Sequence, residues 1–340
     1  MPCSQKPRDK IRRMRTRIAV LLTALVAAAS LAAAHVRSAP PASTEGIRQL
    51  GDKSMGRLMD GDLLAAISIA RQIQSKDPSS PLGYLLEADA AWWKIYYTTA
   101  DIIDPDVFDV VSSTTSPYDS EFHNFIQTTI QKAKSRIAQR QDIARNTLYE
   151  GMAYALMGRL DGLRARDLAT ARDGKKMRSL LLTALRLNPN LTDAKAGLGL
   201  YNYYVDTLPG IVKMLSFIIG LPGGSRELGL QQLTDAAGHG GLVRGEAKFY
   251  MAKNYTRSNE QQFDKALQLF QDLADEYPQN PLWKLMVASV KLRAGKKQEG
   301  DALYRQIRAE TTSKPALVSN AVHDTVVKAL MRLHPGEKFD

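Results

Sequence analysis

Side chains able to do chemistry are scattered in this sequence rather than grouped. The histidines are His35, His123, His239, His323 and His334, and the single cysteine is Cys3. None stands at a metal-ligand spacing, and there is no H-E-x-x-H helix or cysteine cluster, so no metal is expected. His239 follows Gly238 at an expected helix end, an ordinary place for an imidazole. Asp101, Asp104, Asp106 and Asp109 share the irregular stretch DIIDPDVFDVVSSTTSPY. A calcium loop needs a central glycine and a terminal glutamate, so these acids read as a solvated loop. Gly220–Gly224, GLPGG, precedes an expected helix and could offer backbone N–H groups to an anion. It lacks a phosphate-loop lysine and follows a helix, so it reads as a helix break. No serine sits in a G-x-S-x-G elbow. Asn190-Leu191-Thr192 and Asn254-Tyr255-Thr256 match the glycosylation acceptor pattern, which matters only in a eukaryotic secretory pathway. No catalytic residue and no cofactor are expected.

Aromatic residues cluster where the reactive ones do not. Tyr84, Trp92, Trp93, Tyr96 and Tyr97 share one expected helix. Trp92 with Tyr96, and Trp93 with Tyr97, are i, i+4 pairs on adjacent stripes. Tyr201, Tyr203 and Tyr204 form a second set. Two uses are open: packing between helices, or lining a groove that holds an extended or helical partner. Trp92, Trp93, Tyr96, Tyr97, Tyr201, Tyr203 and Tyr204 are therefore the candidate partner-binding residues.

The elements that must position them are helices. From Glu45 onward the apolar residues recur at helical spacing, without strand-like alternation. Ile47–Leu58 and Asp62–Ser75 make a first pair, joined through Asp60-Gly61 and closed by Pro78. Leu82–Tyr97 follows. Beyond the irregular stretch come about Asp119–Gln139, then Ile143–Met157. Gly158 and Gly162 bracket an expected turn into a long helix ending at Leu187. The middle, Thr192–Gly241, reads as helix 195–205, an apolar helix begun by Pro209, a Pro222-Gly223-Gly224 break, and Arg226–Ala237 capped by Ser225. Ile211–Leu221 is apolar on nearly every side, so neighbours are expected to bury it. A surface docking on a membrane or partner is the alternative use; at about eleven residues it is too short to span a bilayer. Gly245–Arg257, Gln261–Glu276, Pro281–Ala294, Lys296–Ala309 and Pro315–Leu333 complete the series.

The N-terminus differs from the rest. Residues 1–34 hold seven bases and one acid, net +6, leaving +5 of the total +11 on the remainder. Such a mild excess is weak support for nucleic acid, and none is expected as a partner. The basic run leads into IAVLLTALVAAASLAAA, Ile18–Ala34. This is the pattern of an export signal, 1–34, cleaved after Ala34; an uncleaved membrane anchor is the alternative. Residues 35–44 are a polar linker. Removal of Cys3 with the signal leaves an exported, periplasmic or secreted chain that depends on its core rather than on disulfides.

Several helix pairs resemble tetratricopeptide repeats, which are about 34 residues long. Ser54, Gly61, Ala66, Ala70, Ile73 and Pro78 fall at that family's small-residue, turn-glycine and terminal-proline positions. Ala252, Tyr255, Ala266, Phe270, Leu273 and Pro278 fit with a turn two residues longer than usual. Ala288, Gly295, Gly300, Tyr304 and Ile307 fit the last repeat. The resemblance is good over about 45–78 and 246–309 and loose between. The order YNYYVDTLP, apolar helix, glycine break, RELGLQQL resembles the centre of divergent tetratricopeptide proteins of the mitochondrial outer-membrane inclusion-clearance family. These resemblances imply an all-α solenoid of antiparallel helix pairs over 45–334, wound as a right-handed superhelix. They also imply a non-catalytic scaffold holding a protein or peptide partner in a concave groove. The alternative is a periplasmic enzyme or small-ligand binder using a central pocket around 196–226. Perturbed ionisable groups gathered in a cleft would favour it.

Overall fold

Helix starts follow the capping residues in the chain. Asp62, Asp142, Ser225 and Asn280 each accept a backbone N–H of the first turn that follows. Each satisfies an amide that has no partner within its own helix. The computed structural model describes residues 44–104, 115–208, 220–312, 316–337 and 339. The export segment 1–34, Asp106, Asp109 and residues 211–219 of the expected middle helix lie outside the described residues.

Among the described residues there are thirteen α-helices and no strand. In order they are α1 (Thr44–Met59), α2 (Leu63–Lys76), α3 (Leu82–Thr99), α4 (Asp119–Ala138), α5 (Ile143–Leu163), α6 (Asp167–Leu187) and α7 (Ala194–Thr207). Then come α8 (Arg226–His239), α9 (Arg244–Thr256), α10 (Phe263–Glu276), α11 (Pro281–Arg293), α12 (Lys297–Thr311) and α13 (Leu317–Leu333). Each helix packs on the next, which makes the chain an all-α solenoid. None of these helices is long and apolar enough to cross a membrane.

Small residues sit where helices approach. Ala66, Ala70, Ala252, Ala266 and Ala288 are buried. The Ser54 hydroxyl donates to the Ala66 carbonyl at 2.9 Å, tying α1 to α2. Gly61 and Gly295, at φ +83° and +82°, take the left-handed turns between paired helices. The expected turn at Gly158 and Gly162 is a correction. Both glycines lie inside α5, and the chain reverses after Leu163, with Ala165 at φ +53°. Gly158 faces open space, where a glycine costs a helix only about 1 kcal/mol. The packing of α5 along α6 outweighs that.

The array also closes on itself. Odd-numbered helices line the inner side: α1 packs on α3, α3 on α5, α5 on α7, and α11 on α13. In addition α9 reaches α1, and α13 reaches α3. The inner face is therefore covered by the protein's own helices over α1, α3, α9, α11 and α13.

Candidate functional site

Two aromatic sites were expected, and the structure places them differently. Trp92, Trp93, Tyr96 and Tyr97 are 1%, 2%, 1% and 6% exposed. The Trp93 ring packs against Phe249 of α9 and edge-on against Trp283 of α11, with centroids 5.4 and 6.2 Å away. Tyr96 donates from its hydroxyl to the Ile102 carbonyl at 3.0 Å. These four side chains fill the space where α3 meets α9 and α11, and they present little surface. In open repeats that space is a groove; here closure fills it.

Ionisable groups accompany the rings. Glu246 of α9 accepts both guanidinium nitrogens of Arg159 from α5, at 3.0 and 3.2 Å. It also accepts the Trp93 indole N–H at 3.2 Å. Asp89 of α3 lies beside Glu246. All three charged side chains are buried. Burial, reinforced by the neighbouring Glu246 charge, pushes the Asp89 carboxyl well above its usual range. Burial works against the Arg159 charge, but Glu246 overrides it and keeps the guanidinium ionised. Arg159 offsets the carboxyl charge in this buried cluster, as so dry a site requires. The Arg159 guanidinium also stacks 4.6 Å from the Tyr250 ring centroid. Nearby, Lys253 is 0% exposed and donates to the Tyr96 hydroxyl at 2.8 Å and to the Asp104 carbonyl at 2.6 Å. Asp89 and Glu246 thus form a carboxyl pair buried in the interior.

The second site is built on the C-terminal end of α7. Tyr201 donates its hydroxyl to the Pro222 carbonyl at 2.6 Å, pinning the glycine break against the helix. The Asp206 carboxylate accepts the Arg226 backbone N–H at 2.8 Å, at the first turn of α8. The Arg226 guanidinium grips Glu260 with two nitrogens. Burial opposes the charge of Glu260, but Arg226 outweighs it and holds the carboxyl below the usual range. Tyr203 is buried, which pushes its hydroxyl up to about 12, and it donates to Glu260. Tyr204 donates to Asn254 at 3.0 Å. The region around 196–226 holds Tyr201–Tyr204 and Gly223–Arg226, and the structure joins its two ends through the Tyr201–Pro222 and Asp206–Arg226 hydrogen bonds. It adds Asn254 from the last turn of α9, and Arg257 and Glu260 from the α9–α10 turn. Arg257 lies over the Tyr204 ring at 5.1 Å. Every group named is engaged with a neighbour, which makes this a tie between α7, α8 and α9.

Other expected features resolve simply. Among the described residues no group of three or more His, Cys, Asp and Glu could hold a metal ion. His323 pairs with the Thr311 hydroxyl and His334 with Asp301. Asn254 is 0% exposed, which closes it to glycosylation in the folded chain. A cavity of about 340 Å³ lies between the end of α3 and α13, lined by Thr98, Asp101, Thr325, Lys328 and Arg332 among others. Lys328 and Arg332 there face the carbonyl end of α3, a favourable place for cations. Comparison with protein-family models and with curated proteins gives no match to the chain.

Proposed function

We propose that the chain is an exported, tetratricopeptide-like interaction scaffold that performs no reaction itself. The observation that carries this reading is the position of the perturbed ionisable groups. Asp89, Arg159 and Glu246 are sealed between α3, α5 and α9, where they hold helices together and meet no substrate. An enzyme needs such groups at a cleft that a substrate can enter. Tetratricopeptide-type small-residue spacing at Ser54, Ala66, Ala266 and Ala288 supports the kind of repeat. The basic run before Ile18–Ala34 supports export. Because the inner face is filled by Trp93, Phe249 and Trp283, a protein or peptide partner would meet the outer helices and turns.

Cross-linking the full chain to proteins of the exported fraction, with the linked residues mapped, tests this. The expected result is a partner joined in fixed stoichiometry through outer residues of α2, α4, α6, α8, α10 or α12. Saturable binding of a small molecule that shifts the melting temperature, and that Arg226→Ala abolishes, would instead establish a ligand site around 196–226.

A further inference from the structure

Helix α6 presents an unusual outer face. At 3.6 residues per turn, Arg172, Lys175, Lys176 and Arg186 fall within an arc of about 140°. Lys175, Lys176, Arg172 and Arg186 are exposed. The same arc carries Leu168, Leu182 and Leu187, which are 76%, 36% and 53% exposed. No acidic residue lies on this arc. The opposite side buries Asp173, Met177, Leu181 and Ala184 against the neighbours of α6, which are chiefly α5 and α7. From Leu168 to Leu187 the stripe is about 29 Å long. Of its cations, Arg172 alone has a carboxylate within 4 Å among the described residues, that of the adjacent Asp173. The Lys175 ammonium lies 3.5 Å from the point where a side chain on Gly220 would begin.

A solvated helix face normally mixes both charge signs. Here the charge has one sign and leucines stand at both ends of the row. A partner must therefore be anionic along the whole length and also accept apolar side chains between its charges. An interface of anionic lipid does both: headgroups take the ammonium and guanidinium groups, and the acyl boundary takes leucines and the methylene stems of lysine and arginine. A peptide of acidic residues alone would neutralise the cations but leave the three leucines uncovered.

We propose that the outer face of α6 docks the protein, lying flat, on a membrane surface rich in anionic headgroups. The outer face of α6 is also among the surfaces named above for a protein partner, but the membrane proposal does not depend on that reading, because the vesicles contain no other protein. Co-sedimentation of the full chain with vesicles is the test, using phosphatidylcholine alone and phosphatidylcholine with phosphatidylserine. The wild-type chain is expected to bind the mixed vesicles at least about tenfold more tightly and to be released by salt. Lys175→Glu with Lys176→Glu should lower that binding about tenfold or more, and Leu168→Glu severalfold. Neither change should move the melting temperature, because both act on exposed positions. Equal binding to the two vesicle types would overturn the proposal. So would undiminished binding of the paired variant, which would place the contact elsewhere in the chain. Capture of an acidic protein through Lys175 and Lys176, with no vesicle binding, would overturn it as well.

Discussion

A carboxyl group cut off from water, with a second carboxylate beside it, keeps its proton, and Asp89 stands in that position. Glu246 and Arg159 are the charged groups facing it. Because its folded value is raised, Asp89 takes up a proton on folding. Its contribution is complete below the usual aspartate range and is lost as pH rises through the folded value. The loss approaches about 1.4 kcal/mol per pH unit within that window. Asp89→Asn mimics the protonated form and removes this dependence. The melting temperature of the variant should thus gain on wild type steadily as pH increases from about 4. A constant gap between the two would mean that Asp89 is ionised in the fold. The sequence gives little sign of this cluster, because Arg159 and Glu246 are 87 residues apart. One signal is available in hindsight: Glu87 and Asp89 interrupt the N-terminal half of a helix that is there otherwise apolar and aromatic. Both are buried, and an acid inside such a helix needs a partner from another element. Glu87 finds Arg71 and Gln74 on α2.

At the scale of elements, close helix crossings decide what can be substituted. Ala266 of α10 is 0% exposed, between α9 and α11. Ala266→Phe should overpack that crossing and cost about 1–3 kcal/mol, read as a lower denaturant midpoint. An unchanged midpoint would show that the site relaxes freely. The crossing of α7 and α8 is tighter. A Cβ on Gly229 would stand 2.6 Å from the Tyr203 backbone nitrogen and 2.7 Å from the Gly199 carbonyl oxygen. Neither atom can swing aside as a side-chain end can. Gly229→Ala, normally favourable in a helix by about 1 kcal/mol, should here destabilise, and chemical denaturation of the variant will show the sign. Most of this level was legible in advance. Small residues at repeat spacing, capping residues and prolines gave the order of the helices and most of their ends. The turn after α5 was not, because a glycine signals a break only when packing does not outweigh it. Gly158 and Gly162 sit in a helix supported along its length by α6. The middle helix expected at Ile211–Leu221 falls on residues outside those described, apart from Gly220 and Leu221.

For the helical unit as a whole, periodicity reports neighbours along the chain and cannot report where a curved array meets itself. An open solenoid is nearly one-dimensional, with each repeat contacting only the next, so its ends fray independently. This one joins its first repeat to a late one. The Trp283 indole N–H donates to the Met59 carbonyl at 2.9 Å, and the Asn280 amide donates to the same carbonyl at 2.9 Å. The Asp60 carboxylate accepts the Gln279 backbone N–H at 3.0 Å. Trp283 is fully buried against Trp93 and Phe249. The first two contacts satisfy the Met59 carbonyl, which the C-terminal end of α1 leaves without a helical partner. They also make α1 dependent on α11, more than 200 residues away. Thermal unfolding should accordingly be a single transition rather than a staged loss of repeats. Trp283→Ala should cost about 3–5 kcal/mol by cavity formation and lost hydrogen bonding. Its distinguishing consequence lies elsewhere: amide exchange should accelerate in α1 and α3 as well as in α11, because opening the seam exposes both ends together. If the variant loosens α11 alone while α1 keeps its protection, the first repeat stands by itself and the closure contributes nothing to stability.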